Sequence, residues 1–248
     1  MPIPYRATCS RPCHEPATCI GAMGLKHAVD YLRRAGYSVD DLYRDDATRE
    51  NIVKSLDEKD PILFFMVGHG REDLTTCQNL EKLFWVCDCR ELRGRVVYTL
   101  SCLCGAELGP DIIGKGGWCY IGYSKVFGWI QEKYGDPLAD RYARGFYEAV
   151  LEILYSLADG LSTGEAYKRS IDKWNYWIDY WSRQDDPRAP LILSFLIHDR
   201  DCQVLLGDEN ARISTPVYLS YLAPASIPFM VVGGVIAYNE VSKSWARG

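Results

Sequence analysis

Two stretches of this 248-residue chain end in residue types that could do nucleophilic chemistry together. Ile62-Leu63-Phe64-Phe65-Met66-Val67 runs into Gly68-His69-Gly70, and Val96-Val97-Tyr98-Thr99-Leu100 runs into Ser101-Cys102-Leu103-Cys104-Gly105. Each apolar run is too short for a helix and suits a strand buried on both faces of a parallel sheet. Open sheets of that kind bind ligands outside the carboxyl ends of their strands, near a reversal of strand order. As neighbouring strands they would put His69 and Cys102 into one crevice, where the imidazole can take the thiol proton and the thiolate can attack a carbonyl carbon. The N–H groups of Gly70 and Cys102 are the expected donors to the oxyanion that then develops. Glycine at 70 lets a substrate carbonyl come close to the backbone. Cys104 is the alternative nucleophile, because in a continuing strand it would face the same side as Cys102; a turn after the strand end favours Cys102.

The elements around these two strands alternate in type. Leu25, Val29, Leu32 and Ala35 form a helical stripe that Gly36 ends, and 37–43 reads as a short strand. Asp46 or Thr48 can cap a helix running to about Leu56. Trp118 to Tyr123 is a further buried strand, followed by helical patterns from about Pro137 to Ala158 and from Gly164 to Trp181. Ser162 and Glu165 have the spacing of a capping box. Two apolar runs, Leu191 to Ile197 and Gln203 to Leu206, close the body, and His198, following the first of them read as a strand, is expected to be a surface or capping histidine. The alternation predicts an α/β domain with a mostly parallel sheet. Trp174, Trp177 and Trp181 recur at helical spacing and are expected to pack in the core or at an interface.

Composition narrows the function classes. A chain that is 48% hydrophobic and 25% charged, with net charge -5, is globular and lacks the basic footprint of a nucleic-acid binder. Ten cysteines are present, and Met1 to Arg6 has neither the basic start nor the apolar run of a signal peptide. The expectation is a cytoplasmic catalytic domain with mostly reduced thiols. Cys9, Cys13, His14 and Cys19, with Cys87 and Cys89, have residue types that bind zinc, but without the spacing of a zinc knuckle. Disulfides or packing explain them better, and no metal or other cofactor is expected. From Ile213 to Asn239 there is no charged residue, and 217–238 is mainly apolar, with Tyr218, Tyr221 and Tyr238 near its ends. That length meets the requirement of a membrane-spanning helix in contact with lipid, against which Pro224 and Pro228 count. The expected organisation is a cysteine-rich segment over 1–22, a catalytic domain over 23–213, a transmembrane segment over 214–239 that anchors the protein to a membrane, and a polar tail over 240–248.

The blocks ending in His69-Gly70 and Ser101-Cys102 together resemble the caspase–gingipain–legumain clan of cysteine peptidases. Within it, Cys102-Leu103-Cys104-Gly105, Gly164-Glu165-Ala166 and Leu205-Leu206-Gly207-Asp208 are similar to segments of the gingipain-like and CHAT-type branch. The resemblance spans roughly residues 20–213. It implies a caspase-like three-layer α/β sandwich, His69 as general base, Cys102 as nucleophile, and a protein or peptide substrate hydrolysed through an acyl-enzyme. Glu209 stands where relatives carry proline. Thr99 and Leu100 stand where many carry the acidic residue that helps select basic side chains, so a preference for Arg or Lys does not transfer. The family's first strand is hard to find before Gly24. Two other readings remain: a non-catalytic scaffold or sensor of the same fold, and a different thiol-dependent acyl transferase or hydrolase on a flavodoxin-like sheet.

Overall fold

Leu63–Val67, Val96–Leu100 and Cys119–Tyr123 are buried at every position, as strands covered on both faces must be. The computed structural model describes residues 5–214. Along the chain the elements are β1 (Arg6–Arg11), α1 (Pro16–Arg34), β2 (Ser38–Tyr43), α2 (Arg49–Lys59), β3 (Leu63–Val67), β4 (Leu74–Thr76), β5 (Lys82–Trp85), β6 (Val96–Leu100), α3 (Leu108–Gly114), β7 (Cys119–Tyr123), α4 (Arg144–Ala158), α5 (Thr163–Ser182), α6 (Ala189–Cys202) and β8 (Gln203–Gly207). Six strands form one sheet in the order β2-β1-β3-β6-β7-β8, with β4 and β5 a separate hairpin. All neighbours in the six-stranded sheet are parallel except β7 and β8.

Alternation along the strands divides the interior into two layers. Leu63, Phe65, Val67, Tyr98, Leu100 and Ile121 point to a core shared with α1, α4, α5 and α6. Phe64, Met66, Val97 and Tyr120 point to the opposite core, shared with α2, α3 and the hairpin. Phe64 and Phe65 are fully enclosed on opposite faces, and burial of each stabilises the fold by about 1.5–3 kcal/mol. The tryptophan stripe of α5 is buried as expected, Trp174 donating its indole N–H to the Gln203 side chain at 3.0 Å. Thr48 caps α2, and Ser162 and Glu165 form the capping box of α5.

Several expectations are corrected. The segment 1–22 is not a separate cysteine-rich unit. It supplies β1, next to the middle of the sheet, and the first turns of α1. This is the strand that apolar periodicity misses, because four of its six residues, Arg6, Thr8, Ser10 and Arg11, are polar. Thr8 bonds Ser55 at 2.8 Å, and Arg11 makes a two-pronged pair with Asp41 at 2.6 and 2.7 Å. Cys13 and Cys19 form a disulfide, whereas the other eight cysteines are free. Leu191 to Ile197 lies within helix α6, which buries Ile192, Leu196, Asp199 and Cys202 and leaves Leu191 and Ile197 exposed. A short apolar run does not by itself distinguish strand from helix; Pro190 at the helix start was the available signal. The helix expected from Pro137 begins only at Arg144. The expected membrane segment lies outside the described residues, and among the described residues no helix is long and apolar enough to cross a membrane.

Candidate active site

Strand register brings the two sequence-predicted residues together. β3 and β6 are parallel neighbours, with Val67 opposite Leu100 at their carboxyl ends. His69 and Cys102 each follow two residues beyond that pair, at the same level of the sheet. Both line one cavity of about 150 Å³, together with Thr18, Phe127, Trp129 and Tyr147. β1 flanks β3 on its other side, so the strand order reverses here, where ligands of such sheets bind. A larger cleft of about 430 Å³ by Arg6, Ser38 and Lys59 contains neither cysteine nor histidine.

A third group joins the pair that sequence reasoning did not single out. Glu15 ends the connection from β1 and caps α1, accepting hydrogen bonds from Ala17 N–H at 2.9 Å and Thr18 N–H at 2.6 Å. Its Oε1 lies 3.3 Å from Nε2 of His69, which leaves Nδ1 of the ring unengaged by Glu15. Burial works against the Glu15 charge, but the two backbone hydrogen bonds and the neighbouring His69 outweigh it and hold the carboxyl below its usual range. The Cys13–Cys19 disulfide brackets Glu15 at the start of the helix. An acidic residue followed by proline ahead of an apolar stripe is a helix-start signal, so the position was readable, though not its role.

Ring nitrogens of His14 and His69 and a Glu15 oxygen lie within 4.8 Å of one another, a trio of metal-ligand types. Its chemistry fits a hydrogen-bonded support better than a metal site. His14 Nδ1 accepts the Asn79 N–H at 3.2 Å, so in the neutral ring the proton sits on Nε2 and no lone pair is left there.

Cys102 is half-buried, and its sulfur lies 3.8 Å from the Phe127 carbonyl oxygen. Burial raises its pKa above the ordinary thiol value, so at neutral pH the resting group is a thiol that needs a base to react. Gly70 N–H and Cys102 N–H have no hydrogen-bond partner among the described residues, which leaves both expected oxyanion donors free. A Cβ at Gly70 would collide with the Cys102 carbonyl and the Cys104 sulfur, so only glycine lets the two loops meet this closely.

Cys104 is placed elsewhere. Leu103 is left-handed (φ 66°), and the chain turns through a Cys104 N–H to Cys102 carbonyl bond of 2.8 Å. The turn sends the Cys104 side chain into the opposite core, fully buried, with its thiol against the Leu74 carbonyl at 3.3 Å. Burial there pushes its pKa up to about 12. Cys87 and Cys89 do not line the cavity; Cys89 lies 3.3 Å from Asp111.

The cavity's far wall is clamped by the end of α6. His198 bonds the Val126 carbonyl at 2.8 Å, the Asp199 carboxylate accepts Gly128 N–H at 3.2 Å, and the Cys202 carbonyl accepts Ser124 N–H at 2.8 Å. Asp199 is completely buried, and its second oxygen has no partner among the described residues. Burial pushes its pKa up to about 9, only partly offset by the Gly128 N–H. The folded-state pKa therefore lies above the unfolded value. Asp199 permits full stability below about pH 4 and draws stability down as pH rises toward 9, at up to about 1.4 kcal/mol per pH unit. Asp199→Asn keeps the acceptor for Gly128 and removes the titration. It is expected to stabilise the protein by at least about 2 kcal/mol at pH 8 and to change little at pH 4, as measured by urea unfolding at the two pH values.

By sequence the chain matches no protein-family model and no characterised protein. By fold it is similar to solved cysteine peptidases of the caspase-like clan. One is the Arg-specific cysteine proteinase gingipain R (RgpB), with a TM-score of 0.58 and 12% identity over 85% of this chain and 48% of that one. Another is the complex of the Porphyromonas gingivalis RgpB pro- and mature domains, with a TM-score of 0.53 and 13% identity over 85% and 49%. The chain spans about half the length of these neighbours, and at such identities the likeness is one of fold.

Proposed function

We propose that this chain is a cysteine endopeptidase. The observation that carries the reading is that His69 and Cys102, at the same level beyond paired strands, open into one cavity while Glu15 lies beside Nε2 of the imidazole. In this mechanism His69 takes the Cys102 proton as sulfur attacks the carbonyl carbon of the scissile peptide bond. The carbonyl oxygen becomes the oxyanion and accepts from Gly70 N–H and Cys102 N–H. As the intermediate collapses, the C–N bond breaks and His69 returns its proton to the leaving amine. Water, deprotonated by His69, then cleaves the thioester and restores the thiol. Glu15 orients the ring and stabilises the imidazolium that forms in each half, the role the acid plays in other triads.

The test is hydrolysis of a denatured protein by the reduced chain, compared with Cys102→Ala. Peptide products that depend on Cys102 support the reading. A folded chain with no cleavage, whose Cys102 is also inert to peptide electrophiles, supports the scaffold or sensor alternative. Glu15→Gln retains an acceptor for the helix start and removes the charge. Because the Glu15–His69 pair is half-exposed and its distance is long, kcat/KM is expected to fall about 10- to 100-fold, mostly in kcat, short of the loss typical of a buried triad acid. The tether to lipid through 217–238 is proposed on sequence alone; recovery of the full chain in the soluble fraction after membrane flotation would contradict it.

A further inference from the structure

The cavity beside Cys102 also carries information about which peptide bonds would be cut, and this inference rests on the peptidase reading. Its side-chain lining is aromatic and aliphatic: Phe127, Trp129, Tyr147, Val67 and Leu100, with Thr18 at the start of α1. The rings form a connected wall, Phe127 to Trp129 at 6.0 Å between centroids and Trp129 to Tyr147 at 5.8 Å edge-on. Gly24 of α1 admits that wall, since a Cβ there would meet the Tyr147 ring at 2.5 Å. Among the described residues no acidic side chain and no lysine or arginine lines the cavity, and His69 is the one residue there that can carry positive charge. Thr18 Oγ1 is occupied by the Glu15 carbonyl at 3.1 Å, and Ser101 Oγ by Thr75 at 3.2 Å.

Orientation follows from the chemistry. The leaving amine must face His69 to be protonated, so the residue that contributes the attacked carbonyl extends away from His69, past the Cys102 sulfur toward Phe127. We infer that this cavity receives the side chain on the acyl side of the scissile bond, and that it selects a large uncharged apolar one, aromatic or leucine-like. Apolar cavities of about 150 Å³ are known to hold a benzene ring, which matches the volume here. No residue of the lining offers a counter-charge to a guanidinium, ammonium or carboxylate desolvated there, and Glu15, outside the lining, is taken up by the start of α1 and by His69. Asp199, behind Gly128, does not supply one, because burial keeps its carboxyl protonated at neutral pH.

The experiment uses the full chain, reduced, with peptide acyloxymethyl ketones that differ only in the residue before the reactive carbon: Phe, Leu, Arg, Lys or Asp. Attack by the Cys102 thiolate forms a thioether and expels the carboxylate, and intact mass reports the rate. Phe and Leu probes are expected to react at least about 100-fold faster than Arg, Lys or Asp probes. Trp129→Ala, at a half-buried position, is expected to reduce that advantage at least about tenfold, with the iodoacetamide rate of Cys102 as the check that the thiol is intact. Arg, Lys or Asp probes that match or exceed Phe and Leu would overturn the inference while leaving the peptidase reading in place. Cys102 labelled by iodoacetamide but by no peptide probe would overturn both.

Discussion

Cys102→Ala is expected to lower peptide hydrolysis by at least about 10⁴-fold, the range in which removal of an active-site nucleophile falls when only binding and the oxyanion donors remain. The same change should barely alter stability, because the thiol is half-buried and its one hydrogen bond, to the Phe127 carbonyl, is long at 3.8 Å. Cys104→Ala should show the reverse pattern. Its side chain is fully buried in the core beneath the hairpin and its thiol is held by Leu74, so the variant should lose about 1 kcal/mol of stability and keep turnover within about threefold. Measured side by side, kcat/KM and urea midpoints of the two variants separate the nucleophile from its neighbour. Loss of turnover with Cys104→Ala at retained stability would reverse the assignment.

His69→Ala carries the next largest expected loss, about 10²- to 10⁴-fold in kcat/KM, the usual contribution of a positioned general base. The reason lies in Cys102, whose pKa is raised by burial above the ordinary thiol value. Without a base, reaction depends on the small fraction ionised by solvent. The sign is definite: a raised thiol pKa means that thiolate is lost as pH falls, so the rate of His69→Ala should climb steadily with pH up to and beyond 9. The wild type, whose base takes the proton during attack, should depend on pH less steeply. A pH profile of Cys102 alkylation by a peptide electrophile checks both statements. Parallel profiles for the two proteins would show that His69 does not serve Cys102.

Much of this site was legible because its two principal residues end short apolar runs that carry further strand signals. Leu63–Val67 is aromatic-rich and bounded by Pro61 and Gly68, and Val96–Leu100 is rich in β-branched residues and follows Gly94. Every position of both runs is buried in the sheet. What remained hidden depended on packing between distant segments. β1 reads as polar, Arg6-Ala7-Thr8-Cys9-Ser10-Arg11, and it is partners from α2, β2 and α1 that hold Thr8 and Arg11 inside. With β1 goes Glu15, whose place beside His69 requires β1 and β3 to be neighbours. Phe127, Trp129 and Tyr147 come from an irregular segment and a helix, and no periodicity links them to the strand ends. The facing of Cys104 turned on one backbone angle, the left-handed Leu103, which a sequence does not announce in a non-glycine residue.

Peptide mapping of the chain after reaction with a phenylalanyl acyloxymethyl ketone, with wild type, His69→Ala and Cys102→Ala treated in parallel, tests whether Cys102 is a nucleophile served by His69. The expected result is a single adduct on Cys102, formed far more slowly in His69→Ala and absent in Cys102→Ala. An adduct on Cys104 or on another free cysteine at equal speed, or no adduct in a folded and reduced chain, would contradict it.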